Sequence, residues 1–121
     1  MSLSPLLPLL LVVLVIQTLY AGERHITITI DYGGALPERT VTAPLSDGAT
    51  ALQLLQKVAR VTTKQVGTFL FVRSVDGVKG EPGKMGWFYA VDGRPAKELA
   101  VIRKMDGAAT MRWYYAVEAC Y

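Results

Sequence analysis

The sequence predicts an α+β fold in which a mixed sheet of about four to five strands packs on one helix, preceded by an N-terminal hydrophobic segment. Three observations predict it. Residues His25 to Tyr32 alternate strictly between apolar and polar side chains. One stretch, Thr50 to Val61, carries apolar residues at helical spacing. Strand-like runs separated by Gly-containing turns follow that stretch.

The first strand has Ile26, Ile28, Ile30 and Tyr32 on one face and Thr27, Thr29 and Asp31 on the other. Period-two patterning rich in β-branched residues places one face in a core. Gly33-Gly34 turns the chain, and Glu38 to Ala43 is expected to return as a hairpin partner, stopped by Pro44. In the helix, Leu52, Leu55, Val58 and Ala59 form a stripe that Ala51 and Leu54 widen, opposite Gln53, Gln56, Lys57 and Arg60. Asp47 or Thr50 can accept hydrogen bonds from its first free N–H groups. Lys57 and Arg60 stand near the negative end of its dipole.

Three strands are expected after the helix. Phe69 to Val75 is apolar enough to be central. Trp87 to Val91 ends in the tight-turn dipeptide Asp92-Gly93. Thr110 to Val117 directs Met111, Trp113, Tyr115 and Val117 to one side. Gly77 to Gly86 reads as a loop, and Ala96 to Ile102 as a strand or a crossing loop. A lone amphipathic helix has only the sheet face on which to bury its stripe. This element order is that of a β-grasp, or ubiquitin-like, fold.

The 121 residues are 51% hydrophobic and 19% charged, with 13 Lys and Arg against 10 Asp and Glu. That length suits one domain, over residues 23–121. No charged side chain precedes Glu23, and Leu9 to Ile16 is unbroken apolar sequence. Such a run suits a secretory core and is short for a membrane span, which needs about 20 apolar residues. Residues 1–22 therefore read as a signal peptide or a hydrophobic anchor, and the domain as secreted or extracytoplasmic. Membrane contact is expected only through that segment. The charges are interleaved by sign, so no nucleic-acid partner is expected. Lys57, Arg60 and Lys64 are expected on a solvated helix face.

The order and spacing of several short motifs resemble a known family. They are Ile26–Tyr32 with Gly33, Asp47-Gly48-Ala49-Thr50-Ala51-Leu52, Val75-Asp76-Gly77-Val78, Gly86-Trp87-Phe88-Tyr89-Ala90-Val91-Asp92-Gly93, and Asp106-Gly107 with Trp113. Together they look like the DUF4430 family, similar to the C-terminal β-domain of transcobalamin, over about residues 25–118. The resemblance implies a β-grasp fold and binding of a soluble ligand, with Gly77, Gly86, Trp87, Tyr89 and Gly93 as the motif residues that transfer. In transcobalamin-like proteins this domain closes over a corrinoid held by a separate helical barrel. The present chain lacks the length for that barrel, so corrinoid binding here is expected to need a partner protein or to be weak.

A flat, partly apolar ligand such as a cobalamin-like corrinoid needs aromatic faces with a few polar groups. Trp87 and Tyr89 follow the Gly-rich loop, and with Gly86, Phe71 and Arg73 they form the candidate ligand-binding set. The same rings can instead fill the sheet–helix core. Pattern leaves both roles open, because both faces of Trp87–Val91 are apolar. Trp113 and Tyr115 read as core, since Arg112 alternates with them. The Gly80–Gly86 loop lacks phosphate-loop spacing and reads as a hairpin connection or a lid.

The one His and one Cys provide no disulfide framework, metal cluster or Cys–His pair. His25 reads as an ordinary exposed strand end. Cys120 is a candidate for an intermolecular disulfide or a buried thiol. Ser46 and Ser74 lack a base, and the aspartates mark turns. No enzymatic activity, resident cofactor or metal is expected. The leading expectation is an exported binding module for a small molecule or a partner protein. The alternative is a self-assembling extracellular structural subunit that uses sheet edges and a retained hydrophobic N-terminus.

Overall fold

The computed structural model describes residues 23–118. The signal-or-anchor segment 1–22 and Cys120 lie outside the described residues. Among the described residues no helix is long and apolar enough to cross a membrane.

The described residues are mostly β-structure with one helix. Strands β1 (His25–Asp31) and β2 (Arg39–Pro44) form the expected antiparallel hairpin. Helix α1 spans Ala51–Val58 and is followed by β3 (Val61–Val66), β4 (Phe69–Val75) and the short β5 (Val78–Lys79). Then come β6 (Met85–Val91), the two-residue β7 (Arg94–Pro95) and β8 (Thr110–Val117).

A five-stranded mixed sheet has the order β2-β1-β8-β6-β7. Its β1 and β8 run parallel and its other neighbours antiparallel. Register stacks the inward residues in columns: Ile28 beside Met111 beside Val91, then Ile30 beside Trp113 beside Tyr89. All are buried, and Ala51, Leu52, Leu54 and Leu55 of α1 join the same core. The face bearing Trp87, Tyr89 and Val91 is therefore the one that meets the helix. Phe88, Tyr114 and Arg112 take the outer face, where the Phe88 and Tyr114 rings stack at 5.9 Å and Arg112 pairs with Asp31 at 2.8 Å and Glu38 at 2.9 Å.

The helix starts at Thr50, which takes the capping role offered to either Thr50 or Asp47. Its hydroxyl accepts from Gln53 N–H, and the Gln53 amide oxygen accepts from Thr50 N–H. Ala51 and Leu52 N–H donate to Arg103 and Ala100 carbonyls. The N-terminus of α1 is thus satisfied by its cap and by the segment before β8. That segment, Ala96 to Ile102, contains turns and no strand, so it is the crossing loop of the two readings.

Two differences from expectation bear on function. First, Val61–Val66 is a strand, so Lys64 sits on β3 and not on the helix. The β-branched run Val61-Thr62-Thr63 follows Ala59, whose extended backbone ends the helix early. Second, Phe69–Val75 is not central in the main sheet. It is central in a separate three-stranded antiparallel sheet, β3-β4-β5. Its end reaches the core at Val75, while Phe69 and Phe71 remain 55% and 44% exposed.

A candidate ligand cleft between the two sheets

Three aromatic side chains hold the small sheet against the large one. Tyr32 and Trp87 are buried in the core and Tyr115 is half-buried against it, and each extends a polar tip to the β4–β5 hairpin. Tyr32 donates its hydroxyl to Asp76, Trp87 Nε1 donates to Val78 O at 2.9 Å, and Tyr115 Oη donates to Lys79 O at 2.7 Å. The rings also pack together, Trp87 edge-on to Tyr32 at 5.9 Å and tilted against Tyr115 at 5.3 Å. A ring with one polar end suits this boundary between core and connection.

Above this junction the sheets leave a cleft of about 370 Å³. Lys64 and Val66 of β3 line it, with Phe71, Val72 and Arg73 of β4. The opposite side is Met85, Gly86, Trp87 and Phe88 of β6, and the rim is Gly80, Pro82 and Glu118. A register shift between Thr62 and Thr63 leaves Arg73 without a direct partner on β3. Such a bulge re-aims its side chain. A Cβ at Gly86 would meet the Phe88 ring at 3.4 Å, an ordinary van der Waals contact.

Of the five candidate residues, the structure brings Phe71, Arg73, Gly86 and Trp87 to this one cleft. Tyr89 is placed elsewhere. It is 7% exposed, stacks on Trp113 at 4.8 Å and donates its hydroxyl to Glu98 O at 2.6 Å. Burial pushes the Tyr89 phenol up from its ordinary pKa, with Glu98 adding to the rise and Arg103 opposing it. Trp87 is part of the core, with 9% of its surface exposed, and also has an edge on the cleft.

Sequence reasoning missed Lys64, Val66, Met85, Phe88 and Pro82. Lys64 and Val66 were hidden with the unrecognised strand β3. Phe88 was legible as the alternate of Trp87, but only tertiary packing shows its face turned to the cleft. The Gly80–Gly86 segment is not the expected hairpin connection: it carries the chain from β5 in the small sheet to β6 in the large one, with a single bridge between Glu81 and Met85. Its Gly83 N–H donates to Glu118 Oε2 at 3.1 Å, and Glu118 N–H donates to Lys84 O at 2.9 Å. Among the described residues no three His, Cys, Asp or Glu side chains are grouped to hold a metal ion. A wider, shallow depression beside α1, about 530 Å³, is lined by Ser46, Asp47, Gly48, Ala49, Gln53, Gln56 and Lys57 and has no aromatic wall.

The family profile described as a domain of unknown function, DUF4430, matches residues 48–116, from the turn before α1 to the end of β8. The chain belongs to the DUF4430 family. No match is found among curated proteins. Among solved structures, this DUF4430 chain is similar to a candidate metal-binding protein from Ruminococcus gnavus ATCC 29149, with a TM-score of 0.65 and 19% identity over 80% of this chain and 100% of that one. It is also similar to haptocorrin in complex with Cbi, with a TM-score of 0.64 and 10% identity over 79% of this chain. That alignment covers 26% of the haptocorrin chain. At these identities the likeness concerns the fold, a mostly β arrangement with mixed sheets.

Proposed function

We propose that this protein is an exported, non-enzymatic β-grasp module that binds a small, flat, partly apolar ligand between its two sheets. The carrying observation is the convergence of Phe71, Arg73, Gly86 and Trp87 on one cleft. Its volume of about 370 Å³ falls within the range of ligand pockets, roughly 300–1,000 Å³. The β-grasp assignment draws support from the parallel pairing of the first and last long strands, with the helix following the first hairpin. Export draws support from the apolar run Leu9–Ile16. A corrinoid is the first ligand to try, because a protein of similar fold was solved with the corrinoid Cbi. The cleft alone encloses only part of a molecule that large, so a second protein is expected to cover the rest.

Equilibrium dialysis of the purified protein against cobalamin tests this reading. Binding at or below millimolar concentration that Phe71→Ala weakens at least tenfold is expected. No binding at millimolar cobalamin removes the corrinoid, and a cleft that takes no flat apolar probe removes the module.

A second reading, self-assembly through sheet edges, is favoured by β3. It pairs with β4 on one side only among the described residues, and its last residue, Val66, is 51% exposed. An edge strand of this kind accepts another chain unless charge blocks it. Light scattering that shows a monomer, unchanged by Val66→Lys, eliminates this reading.

A further inference from the structure

Resting on the ligand-cleft reading, we propose that the cleft selects an amphiphilic anion: a flat apolar body carrying a carboxylate, sulfonate or phosphate group. Charge pairing and register are the basis. Arg39, Arg103 and Arg112 each have a carboxylate partner. Among the described residues, Lys64 and Arg73 make no side-chain ion pair, and both line the cleft. The carboxylate at the rim, Glu118, accepts from Gly83 N–H.

Lys64 lies directly opposite Phe71 in the β3–β4 register, which sets their Cβ atoms about 5 Å apart. Arg73 lies two residues further along β4, a step of roughly 7 Å. Two cations therefore flank one half-exposed ring. A neutral apolar ligand would cover the ring and strip water from the cations without compensation, which is unfavourable. An anion on the same body replaces that water with charge-assisted hydrogen bonds. A concave site of this volume fits a small solute better than an extended surface.

The test uses the full chain and two fluorescent probes that share an aromatic skeleton, anilinonaphthalene sulfonate and uncharged N-phenylnaphthylamine. Arg73→Gln and Lys64→Gln are expected to weaken the sulfonate by about tenfold each, the scale of one charge-assisted hydrogen bond, and to leave the uncharged probe unaltered. Phe71→Ala is expected to weaken both. Each readout is a difference between variants, so probe bound to the apolar N-terminal run cancels, and circular dichroism confirms an unaltered fold.

If Phe71→Ala weakens both probes while Arg73→Gln and Lys64→Gln change neither, the anion assignment falls and the cleft stands as a binding site. If Phe71→Ala leaves both probes unchanged, the cleft reading falls with it. Phosphatidylglycerol vesicles separate the two sources of such an anion. Arg73-dependent sedimentation with vesicles, with no Arg73-dependent sulfonate binding, would assign the site to a lipid headgroup and overturn the soluble ligand.

Discussion

Tyr32, at the end of β1, donates its hydroxyl to Asp76 in the turn after β4. Asp76 also accepts from Arg60 N–H at 2.9 Å and from Arg39 Nη1 at 3.4 Å. Arg39 in turn donates to the Val58 carbonyl at the end of α1. One carboxylate thus ties the first hairpin, the helix C-terminus and the small sheet together. Asp76 holds this position with φ at +50°, a region that Asp and Asn tolerate better than most residues.

Tyr32 makes the fold sensitive to alkali. Burial first, then the Asp76 hydrogen bond and charge, push its pKa from 10.0 up to about 12. Between those values the unfolded chain has lost the phenolic proton and the folded chain retains it, so stability falls as pH rises. Tyr32→Phe is expected to cost about 1–2 kcal/mol at neutral pH and to flatten the decline above pH 10. Urea unfolding of both proteins at neutral and alkaline pH measures this, and parallel pH profiles would contradict it.

Asp76 governs the acid side. Burial alone would raise its pKa. Hydrogen bonds from Tyr32 and Arg60 N–H, with the charges of Arg39 and Arg60, outweigh burial and hold it below the ordinary 3.8. Its stabilisation is present above that value and is lost as pH falls further, where the unfolded chain binds the proton first. Asp76→Asn keeps the backbone conformation accessible and removes the titration. The variant should be less stable at pH 7 yet lose less stability on acidification, as acid titration followed by circular dichroism would show.

The two tryptophans separate packing from hydrogen bonding. Trp113 is the more deeply buried, 2% exposed against 9% for Trp87, so packing alone ranks Trp113→Phe as the costlier change. Hydrogen bonding reverses the order. Trp113 Nε1 is buried with no hydrogen-bond partner among the described residues, whereas Trp87 Nε1 serves Val78 O. Trp87→Phe is expected to be the more destabilising by about 1–2 kcal/mol, because it strands a carbonyl and loosens β5. Equal losses in denaturant titrations would show that ring volume dominates.

Thr50 caps the N-terminus of an eight-residue helix, too short to be stable by itself. Thr50→Ala removes the Oγ1 acceptor for Gln53 N–H and should cost about 1 kcal/mol. Thr50→Ser should restore most of it. A lowered thermal midpoint for Thr50→Ser matching that of Thr50→Ala would locate the effect in the methyl group instead.

Legibility in the sequence followed periodicity. The β1 and β8 alternation and the α1 stripe were readable because one face of each is apolar and the other polar. The capping box was also present, as Thr50-Ala-Leu-Gln53. Strand β3 escaped notice because Lys64 and Gln65 interrupt it and most of it is exposed. Strand β4 was recognised, but its sheet was not. Its composition records burial at Val75 and aromatic exposure at Phe71 without saying which neighbour it joins.

The amino-acid order alone set the family, the number of helices among the described residues, and the aromatic residues from which a site could be built. Those follow from local patterns that each segment carries by itself. Tertiary structure decided that Tyr89 belongs to the core and Phe88 to the cleft, and that Lys64 and Arg73 stand beside Phe71 with no ion pair among the described residues. These outcomes depend on which strand meets which, and hydrogen bonds from Tyr32 and Tyr115 to residues far along the chain, with that from Trp87 to Val78, fix that choice.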